Sequence, residues 1–382
     1  MKIAILTQPL GHNYGGLLQA YAMQVVLRDL GIEPETIDRQ KPVSRGKYYR
    51  DYGKYFMKKI RGRIKTIPTD YRKSYIYSNL AAFRSQHLKM SPTICSSNDL
   101  LRYCETQNFD GFLVGSDQVW RPRYSPYLPN FFLDFANTNI LANATKLSYA
   151  ASFGVDQWEY SDEQTATTKV LAQRFDAISV REKSGVTLCR EYLDVEAEWV
   201  LDPTMLLPRS HYEALIKSGP ALPKRTGIMC YVLDESIEKL NIILEISTRL
   251  KKEAYHIKPL KSLQHTALED IDCCRYPRVE AWLQGISDSE FVVTDSFHGT
   301  VFAIIFNKPF VAIGNRGRGL SRFQSLLGLL GLEDRLITSQ DGFSQELLDS
   351  PIDWETTNKR LTSAVEKSTN FLTRHFKNSN GN

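Results

Sequence analysis

Short apolar runs alternate with helical patterns along most of this chain, and that alternation predicts an α/β fold built on parallel sheets. Residues 2–6 form a run of buried-strand type. After the loop at 8–14, apolar positions recur at helical spacing from Leu17 to Leu27, and Gly31 supplies a C-terminal cap. Residues 35–38 read as the next strand, which completes the β-loop-α-β opening of a doubly wound sheet. Runs at 109–114, 147–151, 177–180 and 198–201 continue the series, with a helix from 182 to about 192 and a break at Pro203.

The second half repeats the style. Strands are expected at 228–232, 291–294 and 310–313, and helices at 236–251, 279–285, 300–306 and 321–330. The predicted fold is two Rossmann-like domains of parallel strands facing across a cleft, an arrangement of GT-B type. Residues 1–207 form the first domain, on the acceptor side, interrupted by a basic, tyrosine-rich helical insertion at about 39–90. Residues 208–356 form the second, on the donor side. A last helix in 357–382 is expected to pack back on the first domain, and the tail from 377 reads as disordered. Such halves bind ligands between them, at the carboxyl ends of their strands.

Length and composition agree with two globular domains: 382 residues, 42% hydrophobic and 24% charged. The net charge of +5 is too small a surplus to indicate a nucleic-acid partner. Basic residues cluster between 45 and 72, including Lys47, Lys54, Lys58, Lys59, Arg61 and Arg63. That stretch reads as a solvated helix face, or as peripheral contact with an anionic surface such as the inner leaflet or a phosphorylated lipid carrier. Six cysteines without C-x-x-C spacing suggest reduced thiols, and no run approaches the roughly 20 apolar residues of a membrane span. A soluble, cytoplasmic protein is expected. No zinc-type or hydrolase-elbow signature stands out, and neither metal nor cofactor is expected.

In a parallel sheet the strand exits converge on one edge, and five exits carry candidate chemistry. Asn13, Gly15 and Gly16 precede a helix whose free N–H groups suit an anionic or hydroxyl-rich ligand, or form a plain tight turn. Ser116, Asp117 and Trp120 follow the third strand: Asp117 as a base toward a hydroxyl, Trp120 as a stacking platform for a sugar, or both as cap and core. Arg181 follows a buried strand, where its fork fits a phosphate or carboxylate, or a local carboxylate. Ser296, Phe297 and His298 end another strand, and His298 is placed for proton transfer beside a bound anion. Arg316 and Arg318 lie between glycines, with Arg322 one turn on, as an anion clamp or a solvent loop.

Taken in order, Asn13-Tyr14-Gly15-Gly16, Gly115-Ser116-Asp117-Gln118-Val119-Trp120, Ser148-Tyr149-Ala150-Ala151-Ser152-Phe153-Gly154, Val180-Arg181-Glu182, Leu201-Asp202-Pro203-Thr204 and Asp295-Ser296-Phe297-His298-Gly299 resemble the polysaccharide pyruvyl transferase family. The resemblance implies a glycosyltransferase-like fold, phosphoenolpyruvate as donor, a saccharide as acceptor, free or lipid-linked, and active-site roles for Arg181 and His298. Many members of that family carry a further arginine two residues before the histidine. Here that position is Ser296, and Arg316 or Arg318 is the expected substitute for the charge. Two other readings share the fold: a glycosyltransferase using a nucleotide sugar, and a saccharide-binding protein without catalysis.

Overall fold

The computed structural model describes residues 1–377 except 43, 139, 235, 315–318 and 340–342. The first sheet contains β1 (Lys2–Leu6), β2 (Glu33–Thr36), β3 (Gly111–Val114), β4 (Thr145–Ala151), β5 (Ala177–Val180) and β6 (Glu198–Trp199) in the order β2-β1-β3-β4-β5-β6. The second contains β7 (Ile228–Tyr231), β8 (Ala254–His256), β9 (Phe291–Thr294), β10 (Phe310–Ile313) and β11 (Leu336–Ile337) in the order β11-β10-β9-β7-β8. Every pairing is parallel. The order reverses between β1 and β3 in one sheet and between β7 and β9 in the other, and crevices open at such switch points. This is the expected α/β architecture.

The two sheets face each other across a shared core. Tyr14, at the start of helix Tyr14–Asp29, stacks on Trp282 of helix Val279–Asp288 with ring centroids 5.4 Å apart, and its hydroxyl donates to the Pro277 carbonyl. Two further connections tie the domains. The helical segment between β2 and β3 reaches the second domain, where the Thr66 hydroxyl donates to the Thr266 carbonyl, the Tyr276 amide to the Ile76 carbonyl and the Asn79 amide to the Tyr276 carbonyl. On the other flank, helix Trp354–Lys377 lies against the first sheet: the Leu201 amide donates to Ser368, Arg374 pairs with Glu198, and Phe371 packs against Tyr149.

Several boundaries depart from the expected pattern. The helix anticipated from 300 begins at Phe297, because the Ser296 hydroxyl caps it by accepting from the Gly299 amide. His298 therefore lies within the first turn. The strand anticipated at 35–38 sits at Glu33–Thr36. The helix after β5 runs over Lys183–Leu188 and widens into a π-helical turn at Cys189–Leu193. Helices Ser97–Gln107 and Asp162–Ala172, and the short strands β8 and β11, have no counterpart in the pattern reading. The tail beyond 377, read as disordered, lies outside the described residues.

Candidate active site

The buried junction between the two domains centres on the carboxylate of Asp202, which follows β6 and is 1% exposed. Its Oδ1 accepts from the amide and the hydroxyl of Thr204, at 3.1 and 2.7 Å. Its Oδ2 accepts from the Ser116 hydroxyl at 3.2 Å and from Arg181 Nη1 at 2.7 Å, and lies 3.4 Å from His298 Nε2. Arg181 arrives from the end of β5 and His298 from the helix after β9. One oxygen thus joins a guanidinium of the first domain to an imidazole of the second. The second arm of the fork, Arg181 Nη2, donates to Asp117 Oδ1 at 3.2 Å. Two buried or half-buried carboxylates fix the guanidinium from different sides, which holds its plane in one orientation.

The imidazole is seated by a glycine of the other domain. A Cβ on Gly15 would fall 2.2 Å from His298 Nδ1 and 2.4 Å from its Cγ, so only the bare backbone of helix Tyr14–Asp29 lets the ring approach. Asn13 caps that helix, its Oδ1 accepting from the Gly15 amide at 2.9 Å. Phe297 lies under two guanidiniums, with Arg181 4.8 Å and Arg322 5.6 Å from its ring centre. Glu182 is fully buried: its Oε1 accepts from the Ser152 hydroxyl and from the Phe153 and Gly154 amides, while its Oε2 has no hydrogen-bond partner.

The electrostatics follow from this packing. Desolvation pushes the Asp202 carboxyl up, but His298, Arg181 and Thr204 outweigh it and hold the group far below the usual carboxylate range. Asp117 shows the same balance, with Arg181, His298, Arg322 and the Gln118 amide overcoming burial, so it stays ionised. Glu182 goes the other way, because burial exceeds the help from Arg181 and Arg322 and raises its pKa. Burial and the neighbouring Arg181 lower Arg322 to about 10, which still leaves it cationic at neutral pH. Two guanidiniums and one imidazole can together hold a small dianion and move a proton beside it.

Several sequence expectations are corrected here. Trp120 is no sugar platform: it is fully buried, stacks on Phe132 at 4.9 Å, and its indole N–H donates to the Phe131 carbonyl. Asp117 is a weak base, because its cationic neighbours stabilise the ionised form. Ser116 is buried under Asp202 instead of lining the cleft, and Gly15 and Gly16 are buried helix positions, of which Gly15 makes room for His298. Ser296 caps the helix and Phe297 supports the arginines. Arg316 and Arg318 lie outside the described residues, and the additional cation within the described cluster is Arg322. Asp202 and Glu182 were not singled out, although each stands beside a strand exit in the Leu201-Asp202-Pro203-Thr204 and Val180-Arg181-Glu182 segments.

Beside the cluster, a cleft of about 610 Å3 separates the domains, lined by Arg121, Arg123, Glu159, Ser321 and Gln324 among others. Arg121 is anchored there by Glu159, at 2.8 and 3.0 Å. Among the described residues, no three His, Cys, Asp or Glu side chains gather as metal ligands, and no helix is long and apolar enough to cross a membrane.

Comparison with known proteins bears on fold and family separately. Among solved structures, a putative UDP-N-acetylglucosamine 2-epimerase from Listeria monocytogenes matches with a TM-score of 0.52 at 11% identity, covering 99% of this chain and 97% of that one. The UDP-GlcNAc 2-epimerase from Neisseria meningitidis bound to UDP-GlcNAc also gives 0.52, at 10% identity, covering 99% and 100%. These likenesses establish the GT-B architecture alone. No curated protein sequence matches significantly. A family profile described as polysaccharide pyruvyl transferase matches residues 13–317, a span that begins at the helix cap and includes Asp117, Arg181, Asp202 and His298. The chain belongs to the polysaccharide pyruvyl transferase family.

Proposed function

We propose that this enzyme transfers the pyruvyl group of phosphoenolpyruvate onto two hydroxyls of a saccharide, forming a pyruvate ketal in the assembly of a surface polysaccharide. The observation that carries this reading is the meeting of Arg181 and His298 on one buried carboxylate oxygen, with Arg322 beside them. Phosphoenolpyruvate carries a phosphate and a carboxylate on one carbon, so it needs two cations and one proton-transfer group in one small volume.

The steps balance without a further reactant. A proton adds to the methylene carbon of phosphoenolpyruvate, and the neighbouring carbon becomes electrophilic. One sugar hydroxyl adds there and gives up its proton. The bond from that carbon to the phosphate oxygen breaks, and phosphate leaves with the electron pair. The second hydroxyl adds, loses its proton and closes the ketal, so inorganic phosphate and the ketal are the products. In this scheme Arg181 and Arg322 hold the phosphate and carboxylate, and His298 exchanges the proton. Asp202 is a positioning residue that orients both groups, and Asp117 orients the acceptor hydroxyl without removing its proton.

The test is phosphate release from phosphoenolpyruvate in the presence of saccharide acceptors. Acceptor-dependent release that drops on the order of 100-fold or more in His298→Ala supports the reading. Thermal stabilisation by UDP-GlcNAc and none by phosphoenolpyruvate, at about 100 times any dissociation constant where about 2.7 kcal/mol is expected, would overturn it.

A further inference from the structure

Helix Arg45–Ile60, in the insertion between β2 and β3, is amphipathic with its apolar side turned outward. Tyr49, Tyr52, Phe56 and Ile60 recur at i, i+3, i+7 and i+11 and form one stripe. All four are exposed, Tyr49 at 70%, Phe56 at 49% and Ile60 at 64%. Lys47, Arg50, Lys54 and Lys58 repeat the same spacing two residues out of phase, which puts them on the opposite side of the cylinder. Among the described side chains of the helix, the half-buried ones are Asp51 and Tyr55, one turn apart, and they mark the edge that faces the protein body. Among the described residues no element covers the aromatic stripe, although a soluble fold gains by burying such a face.

Charge decides what fits the stripe. Residues 45–65 hold nine lysines and arginines against one acid, Asp51, a surplus larger than the +5 of the whole chain, so the remainder of the protein is net acidic. Lys54 reaches Asp51 at 3.9 Å and Lys58 lies over the Tyr55 ring, and both remain largely solvent-exposed. An anionic, laterally extended and partly apolar surface matches both faces: rings enter the headgroup boundary while lysines reach phosphates alongside them. Tyrosine in particular settles at that depth, one end in apolar surroundings and one in water. The acidic remainder is repelled by the same surface, which orients the molecule with this helix down.

We propose that helix Arg45–Ile60 docks the protein on the surface of an anionic lipid bilayer, lying in the interface without crossing it. This holds whatever the donor of the transfer reaction is, because it uses no residue of the cleft.

The full-length protein is tested by co-sedimentation with vesicles of phosphatidylcholine containing about a quarter phosphatidylglycerol, and with phosphatidylcholine alone, at about 0.1 M and about 0.5 M salt. Binding is expected to the anionic vesicles, weakening at high salt. Lys54→Gln with Lys58→Gln lowers the partition coefficient by about 5-fold per charge. Tyr52→Ser with Phe56→Ser lowers binding to the anionic vesicles while leaving its salt dependence. Both pairs are exposed, so melting curves should coincide with the parent's and separate lost docking from lost folding. Three results overturn the proposal: no sedimentation with anionic vesicles, equal sedimentation of parent and both variants, or lipid-independent self-association that Tyr52→Ser with Phe56→Ser abolishes. The last would make a second copy the occupant.

Discussion

Replacing Gly15 by alanine tests whether the two domains set the position of the imidazole together. The new methyl carbon would lie 2.2 Å from His298 Nδ1, 2.4 Å from Cγ and 2.7 Å from Cβ. Non-bonded atoms of this kind rest near 3.5 Å, so the ring must retreat by roughly 1 Å. The ring cannot simply swing clear, because helix Phe297–Ile305 is buried along its length. Overpacking of this kind costs about 1–3 kcal/mol, while removing a glycine from a helix returns up to about 1 kcal/mol. The net change in stability is therefore small, and melting curves alone would be a poor judge. Turnover is a better one, since a displacement of about 1 Å at a reacting group can cost on the order of 100-fold. The assay is acceptor-dependent phosphate release by Gly15→Ala, together with unfolding of Gly15→Ala in the parent and in a His298→Gly background. In the second background the clash is gone and the alanine should stabilise, giving a coupling of about 1–3 kcal/mol between the two positions. Parental turnover in Gly15→Ala, or the same stability change in both backgrounds, would refute the reasoning.

Other expectations are simpler. Arg181→Met leaves two carboxylates facing each other without their guanidinium, and a loss of about 3–5 kcal/mol in a denaturant melt at neutral pH is expected. Because the folded Asp202 carboxyl is held far below its unfolded value, its contribution is complete above about pH 4 and fades as the pH falls further. The stability gap between parent and Asp202→Asn should accordingly be constant through neutral pH and shrink only under acid conditions; a gap that shrinks above pH 6 contradicts the assignment. Trp120→Ala should cost about 3–5 kcal/mol as a core truncation, and in whatever fraction stays folded the acceptor KM should be unchanged, whereas a KM effect without destabilisation would restore the sugar-platform role. Burial pushes the Cys104 and Cys230 thiols up to about 12, and Cys189 and Cys274 are also buried. A thiol reagent should therefore modify only Cys95 and Cys273 rapidly in the native protein.

The parallel sheets were legible because fully buried strands leave continuous apolar runs, and β1, β5, β9 and β10 fall where the runs predict them. Strands of two or three residues such as β8 and β11 leave too short a signal, and helix Asp162–Ala172 has few buried positions to set a period. Motif order pointed to Arg181 and His298, because residues at the exits of a parallel sheet must converge. It did not separate contact from support. Trp120, Ser116 and Gly15 stand in the same motifs as the candidate site residues, yet Trp120 packs in the core, Ser116 donates to Asp202 and Gly15 makes room for His298. Nor could spacing alone single out Asp202, whose importance arises when a strand of one domain and a helix of the other bring Ser116, Arg181 and His298 to one oxygen.

The two ties between the domains have a mechanical consequence. The 66–79 segment grips the second domain on one flank, and helix Trp354–Lys377 grips the first on the other. A wide rotation that parts the lobes must break one of these seams, so small-amplitude sliding about the common core is the inexpensive motion. Amide protons along both seams should accordingly exchange as slowly as those of the central strands.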